Sequence, residues 1–104
     1  MTIGIIGLGA MGLGIAQVFA QAGHDVRATD RVDTARSSAR QRMFAELTPR
    51  VTKGAISQAD RDAILDRITV VDLVEEIAPA DLVIEAVAER LEVKQAVFRA
   101  LEPL

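Results

Sequence analysis

The chain is 104 residues long and half hydrophobic, with a formal charge of -3, three aromatic residues, all Phe, and no cysteine. That make-up fits one soluble globular domain with a single core. It excludes disulfides, thiolate metal sites and cysteine nucleophiles, and it offers neither the basic footprint nor the stacking platforms that nucleic acid requires. No basic leader precedes the first β-like run and no apolar stretch reaches membrane-spanning length, so a cytoplasmic protein with no membrane partner is expected.

Thr2 to Gly7 is short, β-branched and ends in a glycine cluster, the pattern of a parallel strand buried on both faces. From Met11 to Ala22 the residues Met11, Ile15, Val18, Phe19 and Ala22 recur at steps of three and four, forming one apolar helical face, and Gly23 stops the helix. Asp25 to Asp30, with Val26, Ala28 and Thr29, reads as a second strand, which completes a βαβ unit. About 37 residues then precede the next β-like run, Ile68 to Asp72, where a minimal crossover needs about a dozen. The insertion is helical in composition. Asp33 to Leu47 is rich in Ala, Arg and Gln, and Gly54 marks a stop. Pro49 leaves two readings: the helix bends there, or Thr48 caps a second short segment with Pro49 at its first position. Ser57 and Asp60 resemble a capping pair ahead of Ile64, Leu65 and Ile68, making the insertion a helical hairpin. Asp72 to Ala78 reads as one short helix stopped at Pro79, and Leu82 to Val87 as a fourth strand. Leu91 to Leu101, with Val93, Val97, Phe98 and Leu101, reads as a closing amphipathic helix.

The chemistry is carried by Gly7-Leu8-Gly9-Ala10-Met11-Gly12, which follows a strand and opens a helix. In that setting Gly7 permits a tight turn, Gly9 lets the backbone approach a pyrophosphate, and Gly12 lets the helix pack closely on the strand. The helix N-terminus presents unpaired N–H groups and partial positive charge to the diphosphate. Asp30 ends the second strand 18 residues after Gly12, where a carboxylate accepts hydrogen bonds from ribose hydroxyls and repels a 2′-phosphate, favouring NAD. Arg31 beside it leaves two readings, a partner for a 2′-phosphate or a solvated loop residue. Asp30→Ala is expected to weaken NADH binding and leave the fold intact. The implied fold class is α/β: a Rossmann-type doubly wound parallel sheet of about four strands, truncated, with a helical-hairpin insertion between strands 2 and 3. In the usual strand order the fourth strand would be a bare edge, so the segment in isolation is expected to pair or aggregate through Leu82 to Val87.

In order and spacing these motifs resemble the start of the 3-hydroxyacyl-CoA dehydrogenases. Ile5 to Gln17 and Ala22-Gly23-His24-Asp25-Val26 are similar to that family's first strand, loop and helix. Ala80-Asp81-Leu82-Val83-Ile84-Glu85-Ala86-Val87, with Glu89 and Lys94 following, is similar to its fourth strand and the loop after it. The resemblance implies that Gly7, Leu8, Gly9, Ala10, Met11, Gly12 and Asp30 bind NAD and that Glu89 and Lys94 flank its nicotinamide half. It implies that Lys53 contacts the coenzyme A of an acyl-CoA substrate, with Glu46 standing seven positions earlier where the family has a serine. The implied reaction is reversible oxidation of an (S)-3-hydroxyacyl-CoA to the 3-ketoacyl-CoA. Residues 1–104 are then the NAD-binding domain. The catalytic His–Glu pair and the dimerising region of a homo-oligomer come after Leu104, so no catalytic residue and no metal ligand is assigned here. Arg42, Arg50 and Lys53, with Arg36 and Arg40 nearby, form a basic stripe that either meets coenzyme A phosphates or is a solvated face. His24, in the helix-to-strand turn, is read as structural. Two alternatives remain open on sequence grounds: a cofactor domain of the 3-hydroxyisobutyrate and 6-phosphogluconate type, and a non-catalytic NAD(H)-sensing module.

Overall fold

A computed structural model describes residues 1–87 and 90–94. The elements are β1 (Thr2–Ile6), α1 (Ala10–Gln21), β2 (Asp25–Thr29), α2 (Asp33–Thr52), α3 (Gln58–Asp66), β3 (Ile68–Val70), a 3-10 turn (Val74–Ile77), β4 (Leu82–Val87) and β5 (Arg90–Lys94). They form one sheet in the order β3-β2-β1-β4-β5. The first four strands are parallel, with Ile3 opposite both Val26 and Leu82, while β5 returns antiparallel to β4. Among the described residues no helix is long and apolar enough to cross a membrane.

β1 lies at the centre because it is apolar on both faces. Ile3 and Ile5 are fully buried against the layer of α1, α2 and α3. On the opposite face Ile77, Ala80 and Val83 pack with Ile6 and Val71. Gly4 makes that second layer possible, since a Cβ there would stand 2.3 Å from Ile77 Cγ2. The insertion belongs to the main core: Ala39, Met43 and Leu47 of α2 and Ile64 and Leu65 of α3 join Ala16 and Ala20 of α1.

α2 is a single 20-residue helix that runs through Pro49. Proline removes one backbone donor, and the carbonyl it would have served belongs to Ala45, an exposed residue that water can reach. Gly54 at φ +79° ends the segment. α3 opens with the capping box read from the sequence, Ser57 Oγ accepting from the Asp60 N–H at 2.9 Å and Asp60 Oδ2 accepting from the Ser57 N–H at 3.1 Å. The short helix expected over Asp72–Ala78 is narrower, a 3-10 turn of four residues.

The fold departs from the sequence expectation in two places that bear on the site. The apolar face Met11, Ile15, Val18 and Phe19 is only partly the packing face of α1, with Ile15 and Phe19 half-buried against the core. Gly12, Leu13, Ala16, Gln17 and Ala20 are the buried positions, while Met11 and Val18 are 50% and 66% exposed. At the helix start the reason is proximity: a Cβ on Gly12 would lie 1.8 Å from the Gly7 carbonyl oxygen, so only glycine fits where α1 meets the turn out of β1. The second departure is at the sheet edge. Arg90–Lys94 begins no helix but pairs as β5 along β4, from Val87↔Arg90 to Val83↔Lys94. β4 therefore is not the bare edge expected of it, because the reversing chain satisfies its outer N–H and C=O groups, and the edge passes to β5. Residues 95–101 of the expected helix lie outside the described residues.

Candidate functional site

The carboxyl ends of β1, β2 and β4 meet the N-terminus of α1, the position where open α/β sheets bind ligands. The turn out of β1 is built by backbone. Gly7 holds φ +112° with its absent Cβ only 2.0 Å from the Ala86 carbonyl oxygen, so no other residue fits there. Its N–H donates to the Thr29 carbonyl at 2.8 Å. α1 starts with Gly9 as N-cap, without a side-chain cap and without an acid in the first turn. The first N–H groups of a helix have no intrahelical acceptor, and among the described residues no side chain caps those of α1.

Gly9 differs from its neighbours. Among the described residues and beyond its two chain neighbours, a Cβ there would meet nothing within 4 Å, and its φ of -75° is ordinary for any residue. Neither packing nor backbone strain asks for glycine at this position. A diphosphate seated against the backbone would, and the open, uncapped start of α1 fits one.

Asp30 closes the loop. Its Oδ2 accepts from the Leu8 N–H at 2.8 Å and its Oδ1 from the Val32 N–H at 2.9 Å. One carboxylate thus fixes the glycine loop to the end of β2, and each oxygen keeps a further lone pair for an incoming hydroxyl. Two adjoining clefts share Gly7, Asp30 and Arg31. One, of about 560 Å³, lies over the glycine loop and is lined also by Gly9, Ala10, Met11, Gly12 and Ala86. The other, of about 450 Å³, runs toward β3 and is lined also by Thr29, Asp72, Leu73, Val74, Glu75 and Glu85.

The structure thus gathers Gly7, Gly9, Ala10, Met11, Gly12 and Asp30 at one cleft. The Leu8 side chain is elsewhere, fully buried in the core, and only its N–H serves the loop. Glu89 lies outside the described residues. Lys94 pairs in β5 opposite Val83, toward the amino end of β4. The antiparallel return of the chain carries residue 94 back down the sheet. Lys53 caps the far end of α2, about 30 Å from Asp33 at 1.5 Å per residue. The rest of the basic stripe makes contacts within the chain. Arg40 donates to the Leu65 carbonyl at 3.2 Å, Arg42 to the Ala35 carbonyl at 2.8 Å, and Arg50 to Gln21 Oε1 at 3.2 Å. Glu46 accepts from Gln17 Nε2 at 2.7 Å, joining α2 to α1. His24 stands at the opposite end of the sheet, its Nδ1 3.3 Å from the amino terminus and its ring against Phe19.

Sequence reasoning missed Asp72, Leu73, Val74 and Glu75 in the second cleft. The signal available was positional: these residues follow β3, and strand carboxyl ends are where such sheets bind ligands. Leu73 and Val74 are 58% and 49% exposed, large apolar side chains held at the cleft instead of in a core.

Residues 2–104 match the family model described as 3-hydroxyacyl-CoA dehydrogenase, NAD binding domain. Over 100 residues the chain is 43% identical to the 3-hydroxyadipyl-CoA dehydrogenase of Escherichia coli K12, covering 96% of this chain and 21% of that protein. It is 36% identical to the 3-hydroxybutyryl-CoA dehydrogenase of Clostridioides difficile, covering 100% of this chain and 37% of that protein. Among solved structures, the 3-hydroxybutyryl-CoA dehydrogenase of Escherichia coli K12 superposes with a TM-score of 0.80 at 40% identity, over 86% of this chain and 19% of that one. The (S)-3-hydroxybutyryl-CoA dehydrogenase of Ralstonia eutropha gives 0.80 at 34% identity, over 86% and 31%. The chain therefore spans between about a fifth and just over a third of the length of these relatives. The helical insertion, the glycine cradle and the acid at the end of β2 thus accompany a match along nearly the whole chain, and the protein belongs to the NAD-binding domain family of the 3-hydroxyacyl-CoA dehydrogenases, whose cofactor is NAD.

Proposed function

We propose that this chain holds NAD for the reversible oxidation of an (S)-3-hydroxyacyl-CoA to the 3-ketoacyl-CoA, NAD supplying the hydride acceptor. The diphosphate lies against the backbone of Gly7, Gly9, Ala10, Met11 and Gly12 at the start of α1, and Asp30 accepts from the adenosine ribose. The single observation that carries this reading is Gly9, a glycine that neither packing nor strain requires. The relatives named for 3-hydroxyadipyl-CoA and 3-hydroxybutyryl-CoA support a 3-hydroxyacyl-CoA as substrate.

Residues 1–104 act as the cofactor domain, and the groups that move the hydroxyl proton belong to sequence outside them. What this chain's own residues do is bind and orient: the uncapped helix start takes the anion, and Asp30 both shapes the loop and discriminates against a 2′-phosphate by charge. Titration of the protein with NADH, followed by fluorescence, is expected to saturate, with NADPH binding more weakly. No saturable NADH signal, or a preference for NADPH, would overturn the reading.

A further inference from the structure

Arg36 lies in the first turns of α2, does not line either cleft, and is only 17% exposed. Its guanidinium reaches three acceptors. It donates to the backbone carbonyl of Asp30 and pairs with the carboxylate of Asp33, and its Nε lies 3.6 Å from Asp72 Oδ1. Two of these belong to different walls of the second cleft: Asp30 follows β2 and Asp72 follows β3. The planar fork of arginine spreads five donors over three nitrogens, so one side chain reaches acceptors farther apart than a single ammonium nitrogen can.

We infer that Arg36 is a positioning residue for the adenosine half of the cofactor, tying the β2–α2 loop to the β3 loop so that Asp30 and the Leu73–Val74 wall face each other across the cleft. The inference rests on the dinucleotide reading of the site. Energetics separate positioning from fold maintenance at Asp72. Its side chain is 86% exposed, and exposed ion pairs add little to global stability. Losing that link therefore leaves the domain folded while freeing one wall of the cleft. With its donors engaged inside the fold, Arg36 is also withdrawn from any 2′-phosphate.

The test compares the unaltered protein with Arg36→Lys, Arg36→Gln and Asp72→Asn, using NADH by fluorescence and ADP-ribose by calorimetry, with the melting temperature recorded for each. Arg36→Gln is expected to weaken NADH and ADP-ribose by the same factor, about tenfold, the equivalent of one charge-assisted hydrogen bond. Asp72→Asn is expected to weaken both by about threefold with an unchanged melting temperature, and Arg36→Lys is expected to restore only part of the loss. Equal weakening of the two ligands places the defect outside the nicotinamide ring, the one part of NADH that ADP-ribose lacks. Asp72→Asn and Arg36→Lys both binding as the unaltered protein does, or NADH weakening while ADP-ribose does not, would overturn the inference. Failure of the unaltered protein to bind either ligand would instead remove the dinucleotide reading, and this inference with it.

Discussion

The glycine loop offers a substitution pair whose outcomes separate ligand requirement from fold requirement. Alanine at position 9 places a methyl group where, among the described residues and beyond its two chain neighbours, no atom lies within 4 Å, at a φ of -75° that alanine adopts freely. Its costs are small and opposed: glycine caps a helix better than alanine does, while removing a glycine restricts the unfolded chain by about 0.4–1 kcal/mol in favour of folding. Stability should stay within about 1 kcal/mol of the unaltered protein. Alanine at position 12 puts its Cβ 1.8 Å from the Gly7 carbonyl oxygen, a backbone atom in a turn that is itself locked against Ala86. Overpacking of this kind costs about 1–3 kcal/mol and more where backbone must move, or roughly 4–8 °C of melting temperature per kcal/mol for a domain of this size. For NADH the order inverts. Gly9→Ala inserts its methyl into the space proposed for the diphosphate and should lower affinity at least about tenfold, the equivalent of 1.4 kcal/mol. Thermal unfolding followed by circular dichroism and NADH titration by fluorescence measure the two effects independently. A Gly9→Ala protein that binds NADH as tightly as the parent would refute the argument, as would one destabilised as much as Gly12→Ala.

Three further outcomes rest on particular contacts. Asp30→Ala should both abolish tight NADH binding and destabilise the domain by about 1–3 kcal/mol, because it orphans the Leu8 N–H beside a fully buried side chain. That replaces the sequence expectation of an intact fold, and a urea midpoint equal to that of the parent would restore it. Gly4→Ala should cost about 1–3 kcal/mol by driving a methyl into Ile77 Cγ2. Ile77→Ala in the same chain should recover part of that loss, and full additivity of the two changes in thermal unfolding would show that they do not meet. Val18→Thr should change stability by no more than about 0.5 kcal/mol, as expected at an exposed position. A loss of about 2 kcal/mol or more in chemical denaturation would mean that Val18 is buried after all.

Much of this molecule was legible in the residues themselves because local rules decide it. β1 runs into a glycine turn, the Ser57–Asp60 box starts α3, Gly54 ends α2, and an insertion of about 37 residues is too long for a minimal crossover. The same locality made the cradle readable, since a strand, a glycine turn and a helix start are contiguous in sequence and Asp30 follows at the far end of the next strand. The family match then separated the main reading from a 3-hydroxyisobutyrate-type domain.

Other features depended on neighbours that sequence does not place. Periodicity marks Met11, Ile15, Val18 and Phe19 as one apolar face, but Gly12, Leu13, Ala16, Gln17 and Ala20 are the buried positions, and at the helix start the close approach of α1 to the turn out of β1 admits only glycine at position 12. Arg36 and Asp72 are 36 positions apart and meet only because β2 and β3 are adjacent in the sheet. The stripe of arginines on α2 gives no sign that carbonyls of α2 and α3 and a side chain of α1 each take one of its donors. Residues 90–94 carry both a helical and a two-residue alternation, and the unsatisfied edge of β4 chose between them. Short-range backbone chemistry wrote the cofactor cradle into the sequence. Packing distance and sheet adjacency, properties of the assembled chain, settled which surfaces are buried, which charges are spent and how the walls of the cleft are held.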